Sequence, residues 1–399
     1  MPVAIASSAP APPKPVILWS HHRSCSTAFV RAFIAHPGTK VAHEPFLRVS
    51  ALSGVDTIHG DRAFENSDKS PWYNVTRMDI ASILSDNALP TFDSNGKLQA
   101  DAADERTVFV KDMAQSAFRG EALAALRTDT KTFRGPDDAH TYQPPSPIDA
   151  TPINPTIFPV SVLRKFTHAF LIRDPTRAIP SVVRGLSDVA ATRPGARPGF
   201  SSEVAAYICY LEQRILYNFL TDPESEFNTA PWDKEGGKEQ FIQQPQPVPL
   251  IDASDLLEDP HKVLSQFCNA VGIPFNPLML KWDTDPVEEF DVPWRLMFKK
   301  AEGSSGFERD TRTPEEIARS LAEEDALIVK DLIKKYRGDY DVCLFLLRSE
   351  STSTNSISVS LRAQEHHSLK SYRYNPSLHH YSEEPEGCGV EDLYDCRIV

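Results

Sequence analysis

The first residues able to do chemistry together are Arg23, Ser24, Ser26 and Thr27. They lie in the run Val16-Ile-Leu-Trp-Ser-His-His-Arg-Ser-Cys-Ser-Thr-Ala-Phe-Val-Arg-Ala-Phe-Ile34. Arg23 carries a forked cation matched to phosphate or sulfate, and the three hydroxyls add donors. Val16 to Trp19 reads as a buried strand, and Ala28, Phe29, Ala32 and Phe33 are apolar at helical spacing. A strand feeding a polar turn and then a helix start is an anion site in outline. The N–H groups of the first turn lack intrahelical partners, and the helix dipole favours negative charge there. The motif is not a Walker loop, which needs spaced glycines and a Lys-Ser/Thr pair; this turn has neither Gly nor Lys. The bland alternative is an ordinary strand-to-helix turn with a Ser/Thr cap.

A second set lies much further along, in His168-Ala-Phe-Leu-Ile-Arg-Asp-Pro-Thr-Arg-Ala-Ile-Pro-Ser-Val-Val-Arg184. An apolar strand ends in Arg173. Asp174-Pro175 suits a helix start, since proline fits the first helical position. Ser181 falls two turns into that helix. A guanidinium and a hydroxyl so placed can grip one phosphate from two sides; an Arg-Asp pair at a helix start is the alternative. Arg177 and Arg184 read as surface charges, and Pro180 predicts a kink.

Two more strand ends carry ionisable groups. Lys40 to His43 is a short strand running into Glu44-Pro-Phe46, and ligand-facing residues collect at such ends in parallel α/β sheets. His43 titrates near neutrality and is a candidate base, with simple packing as its alternative. Glu44 could instead pair with Arg23 or cap a turn. Thr107 to Met113 is a strand with Lys111 near its end, placed to reach a transferred group or to sit in an ion pair.

These pieces resemble the PAPS-dependent sulfotransferases. His22-Arg-Ser-Cys-Ser-Thr27 is similar to the family loop that holds the 5′-phosphosulfate. Arg23 fills its basic position, His22 stands where proline is common and Cys25 where glycine is common. Arg173, Asp174-Pro175 and Ser181 resemble the element that binds the 3′-phosphate. Glu44-Pro45 resembles a motif whose glutamate takes the proton from the acceptor hydroxyl. Asp252 to Pro277, with Gly272-Ile-Pro-Phe275, resembles a structural stretch of the family, and Lys299 to Phe307 stands where its late loop closes over the nucleotide. The resemblance implies an α/β three-layer sandwich with a central parallel sheet and a P-loop-like strand–loop–helix. It implies sulfuryl transfer from PAPS to a hydroxyl of a small-molecule acceptor, with adenosine 3′,5′-bisphosphate as product and no metal. Arg23, Ser24, Cys25, Ser26, Thr27, Arg173, Ser181, Lys299 and Gly303 would bind the cofactor. Glu44, His43, Lys111 and Arg23 would carry catalysis, and Glu44 would need a pKa raised by partial burial.

The elements that must position these groups come from the rest of the chain. Its 399 residues, 41% hydrophobic, suffice for a substantial core. A single domain is expected over 15–348, after an Ala/Pro/Ser-rich leader (1–14) and before a Ser/Thr/His-rich tail (349–399), both expected to be disordered. Pro-rich inserted loops are expected at 128–160 and 221–247. Further helices are expected over 80–84, 117–126, 203–220 and 261–271, and from Thr313-Pro-Glu-Glu to about Tyr336, whose start carries an N-cap and proline at the first position. A strand is expected over Pro247–Asp252.

A net charge of −13 argues against nucleic-acid binding, so an anion site must be a local basic pocket. No apolar run is long enough for a membrane span. The six cysteines are scattered and read as reduced thiols of a cytoplasmic protein. The acids between Trp282 and Trp294 read as a solvated loop rather than a metal site. Cys396 stands fourth from the C-terminus without the basic context of a lipidation signal. Two other functions stay open. One is the same fold repurposed for nucleotide or anion binding without sulfuryl transfer. The other, remote, is a cysteine phosphatase using Cys25 and Arg31 at Cys-x5-Arg spacing, although Ala28-Phe-Val30 continues a helix that would carry Arg31 away.

Overall fold

In the computed structural model, residues 13–57, 69–102, 104–126, 153–191, 204, 207–231, 248–290, 292 and 294–351 are described. Most of the leader, the bulk of both Pro-rich loops, the tail beyond 351, Cys388 and Cys396 lie outside them.

The chain alternates strand and helix. It runs β1 (Val16–Ser20), α1 (Ser26–Ile34), β2 (Thr39–His43), α2 (Pro45–Leu52), α3 (Arg77–Ser85), a small hairpin of β3 (Pro90–Phe92) and β4 (Leu98–Ala100), then β5 (Thr107–Met113) and α4 (Gly120–Leu126). It continues through β6 (Thr167–Ile172), α5 (Pro175–Ala191), α6 (Tyr210–Thr221), β7 (Leu250–Asp252), α7 (Ala253–Glu258), α8 (Pro260–Val271), α9 (Pro314–Arg319) and α10 (Glu323–Ser351). Five strands form one sheet in the order β2-β5-β1-β6-β7, all parallel. The fold class is therefore α/β, as expected. Strand β1 is central, and the chain leaves it first to one side and later to the other. The carboxyl end of β1 is thus the topological switch point, where open α/β sheets form their ligand crevice.

Alternation along β1 explains the layers. Ile17 and Trp19 join one buried cluster with Val110 and Phe170, packed under α2, α3, α5, α6 and α10. Val16 and Leu18 join the other with Phe109 and Leu171, packed under α1 and α8. Helix α1 is fixed by aromatic stacking: Phe33 lies parallel on Phe109 with ring centroids 3.7 Å apart, and Phe29 meets Phe267 edge-on at 5.1 Å. Truncating one such ring typically costs about 3–5 kcal/mol. This anchors the helix whose start faces the crevice.

Two expectations about helices need correction. The helix expected over 203–220 is interrupted: Val204 is helical, the chain turns through 207–209, and a helix resumes over Tyr210–Thr221. The helix expected from Thr313 to about Tyr336 is two. Pro314–Arg319 carries the anticipated cap, with Thr313 and Glu316 bonding reciprocally, and a separate helix continues to Ser351. Among the described residues, no helix is long and apolar enough to cross a membrane, and no group of three or more His, Cys, Asp or Glu side chains could hold a metal ion.

Candidate active site

The turn between β1 and α1 is bent by two residues in the left-handed region, Arg23 (φ 64°) and Cys25 (φ 68°). This conformation costs an L-residue roughly 1–2 kcal/mol, and at Cys25 it occurs where the resembling family commonly has glycine. Cys25 makes no side-chain cap on α1, so the N–H groups of the first turn are not capped by it. Ser24 is fully buried, and its Oγ has no hydrogen-bond partner among the described residues. A buried hydroxyl without a partner is costly unless something fills the role. Ser26 and Thr27 open the helix beside it.

The second phosphate-gripping set converges on this turn. Arg23 Nε donates to Ser181 Oγ at 2.9 Å. Arg173 Nη1 donates to the Arg23 carbonyl at 3.0 Å. Arg23 also donates to the Met297 carbonyl. Among the described residues, no carboxylate forms an ion pair with either guanidinium. Burial, with further push from Arg173 and Arg184, disfavours the charge on Arg23, while Cys25 and Asp188 favour it. An anion in the turn would offset that burial.

Residues around these cations hold them in place. His21 and Tyr210 bond the Arg173 backbone from either side. Gln213 Nε2 donates to the carbonyls of Trp19 (3.2 Å) and Leu171 (2.9 Å), tying α6 to the ends of β1 and β6. Asp174 accepts two bonds from Arg337 on α10, at 3.0 and 2.9 Å.

A second cluster sits at the end of β2. The register pairs His43 with Lys111 across β2 and β5, which places Glu44 just past the carboxyl end of β2, on the same edge of the parallel sheet as the β1–α1 turn. Lys111 is fully buried and donates to Glu44 Oε1. Trp294 Nε1 donates to Glu44 Oε2 at 2.8 Å, and His43 Nε2 lies 3.6 Å from Oε1. Glu44 is 1% exposed. Burial alone would raise its pKa, but the Lys111 cation and the Trp294 N–H outweigh burial and hold it at about 2. The expected upward shift is thus reversed, because the carboxylate is buried together with a cation. Glu44 pairs with Lys111 and not with Arg23.

Burial pushes His43 down to about 3, so it is neutral between the rings of Phe290 and Phe298 (centroids 4.7 and 5.0 Å). Asp112, next to Lys111, anchors α2 by accepting from Phe46 N (2.6 Å) and Leu47 N (3.3 Å), and also accepts from its neighbour Met113 N (2.7 Å). Burial and the neighbouring Glu44 push its pKa up to about 7.

The stretch 294–298 touches both clusters: Trp294 at Glu44, Met297 at Arg23 and Phe298 at His43. Lys299 follows on an exposed helical turn, and Gly303 is likewise exposed. Met297, two residues before Lys299, is what bonds the Arg23 side chain. Arg31 is carried along α1 to the carbonyls of Asp283 and Asp285 and lies 5.9 Å from the Trp282 ring centroid. It does not join Cys25 in a phosphatase loop. Arg177 and Arg184 hold the Arg312 carbonyl and Ser320 Oγ. The motifs did not single out His21, Tyr210, Gln213 or Trp294 for the site.

This arrangement, a cationic switch-point turn beside a buried Glu-Lys pair, is one that could hold a phosphorylated nucleotide next to a proton acceptor. Residues 247–330 match a family model described as a sulfotransferase domain. The chain is 26% identical over 193 residues to Sulfotransferase ppzF of Metarhizium rileyi, an alignment covering 48% of this chain and 52% of that protein. A stretch of 70 residues is 37% identical to Branched-chain-amino-acid aminotransferase-like protein 1 of Arabidopsis thaliana, covering 17% of this chain and 12% of that one. The chain thus spans about half the length of the fungal relative and about an eighth of the plant one. Among solved structures, the sulfotransferase domain of the Synechococcus PCC 7002 olefin synthase is 14% identical, with a TM-score of 0.33 over 82% of this chain and 96% of that one. Residues 247–330 are thus similar to a sulfotransferase domain, and the chain is similar over 193 residues to a fungal sulfotransferase.

Proposed function

We propose that this chain moves a sulfuryl group from PAPS to a hydroxyl of a small-molecule acceptor. The observation that carries the proposal is the convergence of Arg23, Ser181 and Arg173, without carboxylate partners among the described residues, at the switch point of the sheet. PAPS has phosphoryl groups at both ends of its ribose. The β1–α1 turn, with Arg23, Ser24, Cys25, Ser26 and Thr27, would hold the 5′-phosphosulfate, and Arg173 and Ser181 the 3′-phosphate. The partnerless Ser24 Oγ and the α1 start left uncapped by Cys25 fit an anion there.

PAPS supplies the activated sulfuryl group. If bound there, it would give up that group to the acceptor oxygen and leave as the bisphosphate, keeping the electron pair of the broken sulfur–oxygen bond. Arg23 and the α1 N-terminus stabilise that growing charge. Glu44 takes the acceptor proton. A carboxylate held near 2 is a weak base, yet it suffices for a proton that becomes strongly acidic as the new bond forms. Lys111 keeps Glu44 ionised and is the group nearest to hand when Glu44 becomes neutral. The acceptor hydroxyl would take the place of the Trp294 N–H on Glu44 Oε2. Lys299 and Gly303, on and just after a turn that packs against α1, would add to the cofactor contacts.

A second reading has its own support. Glu44 is buried and already bonded on both oxygens, which suits a nucleotide-binding protein that performs no transfer. Turnover decides between them. Sulfur-radiolabelled PAPS, offered with a panel of hydroxylated metabolites, is expected to yield labelled product with wild type and almost none with Glu44→Gln. Bisphosphate binding without labelled product from any acceptor would favour the second reading.

A further inference from the structure

The backbone of Arg173 is held in a bracket made by two aromatic side chains that are not phosphate ligands themselves. Its N–H donates to His21 Nε2 at 2.9 Å. Its carbonyl accepts from the Tyr210 hydroxyl at 2.6 Å. The two rings pack against each other with centroids 4.2 Å apart. The other ring nitrogen of His21, Nδ1, bonds the carbonyl of His22 at 2.9 Å. Accepting at Nε2 leaves Nδ1 as the protonated nitrogen, so one neutral tautomer satisfies both contacts. Burial keeps the imidazole neutral, with a pKa lowered to about 3. His21 and Tyr210 are 1% and 3% exposed.

The bracket stands where the sheet stops. Strands β1 and β6 pair as far as Ser20 and Leu171, and the chains then part toward the Arg23 turn and toward α5. The His21 side chain extends the connection past that point, and Arg173 Nη1 closes a ring back to the Arg23 carbonyl. An arginine on a strand end has several rotatable bonds, and its fork bonds a phosphate well only when its backbone origin is fixed.

We infer that His21 and Tyr210 are positioning residues that set the preference of this site for a 3′-phosphorylated nucleotide, by fixing the Arg173 backbone against the Arg23 turn. The inference rests on the reading of Arg173 as a 3′-phosphate ligand. It concerns neither the sulfuryl step nor the 5′-phosphate.

The test compares adenosine 3′,5′-bisphosphate with adenosine 5′-monophosphate by calorimetry, in wild type, His21→Ala, His21→Gln and Tyr210→Phe. Wild type is expected to prefer the bisphosphate. His21→Ala should cut that preference about tenfold, the scale of one charge-assisted hydrogen bond, while monophosphate affinity stays within about twofold. His21→Gln, whose amide oxygen can accept from the Arg173 N–H, should recover most of the preference, and Tyr210→Phe should lose part of it. An unchanged preference in His21→Ala, or equal weakening of both ligands, overturns the bracket and leaves the nucleotide reading standing. If His21→Ala does not fold, full preference in Tyr210→Phe and none in a folded His21→Gln would contradict the inference. A wild type without any preference overturns both.

Discussion

At the scale of single residues, Glu44 is where the expected chemistry and the observed environment diverge most. The resemblance calls for a carboxyl raised toward neutrality, and the fold instead buries it against Lys111. Removing the cation while keeping its bulk, Lys111→Met, leaves a carboxylate in the core without its main partner. Breaking a buried pair from one side typically costs about 3–5 kcal/mol. Denaturant unfolding near neutral pH should show a loss of that order, and a loss under about 1 kcal/mol would mean that the pair is not buried in solution. The pH dependence has a definite sign. A folded-state pKa of about 2 lies below the ordinary carboxylate value, so the stability due to Glu44 is full above that ordinary value. It is lost as pH falls through the ordinary value toward about 2. In Lys111→Met, burial is left opposing the charge, so the acid limb of a pH–rate profile should move to higher pH. An acid limb that stays in place would detach Lys111 from Glu44.

At the scale of elements, α10, the last of the described helices, acts as a brace on the carboxyl end of the sheet. Arg337 on α10 holds Asp174 at the start of α5, and Tyr340 donates to Asp252 at the end of β7 at 2.6 Å. The first pair is about a third exposed on each side, so screening limits it to about 1 kcal/mol or less. The second is buried, and Tyr340→Phe would leave an acceptor short of its donor, a cost of about 1–3 kcal/mol. Urea midpoints should therefore fall further for Tyr340→Phe than for Arg337→Ala. The reverse order would show that the brace works mainly through Asp174.

At the scale of the whole molecule, much was legible because it is written locally. Short apolar runs bounded by polar turns marked β1, β2, β5, β6 and β7, and Thr313-Pro-Glu-Glu marked the start of α9, where the reciprocal cap is found. The turn after β1 was legible because basic and hydroxyl residues crowd between a strand and a helix. The sheet order was not, since pairing β5 and β6 on either side of β1 depends on contacts between distant segments. The break at 207–209 also escaped, having neither Gly nor Pro to mark it, and so did the role of Tyr210 that follows from it. Trp294 reaches Glu44 across 250 positions, and no local pattern encodes such a contact. The same non-local folding concentrates Arg23 and Arg173 in one crevice of a chain whose net charge is −13.

The central claim is that Arg23 and Arg173, brought together across the switch point, seat one nucleotide phosphorylated at both ends of its ribose. Calorimetric titration of adenosine 3′,5′-bisphosphate into wild type and Arg173→Ala tests it most directly. The account predicts measurable binding to wild type and a loss of about a hundredfold or more in the variant, the scale of a lost guanidinium–phosphate pair. Equal affinity in the two proteins, with the variant folded, would contradict it.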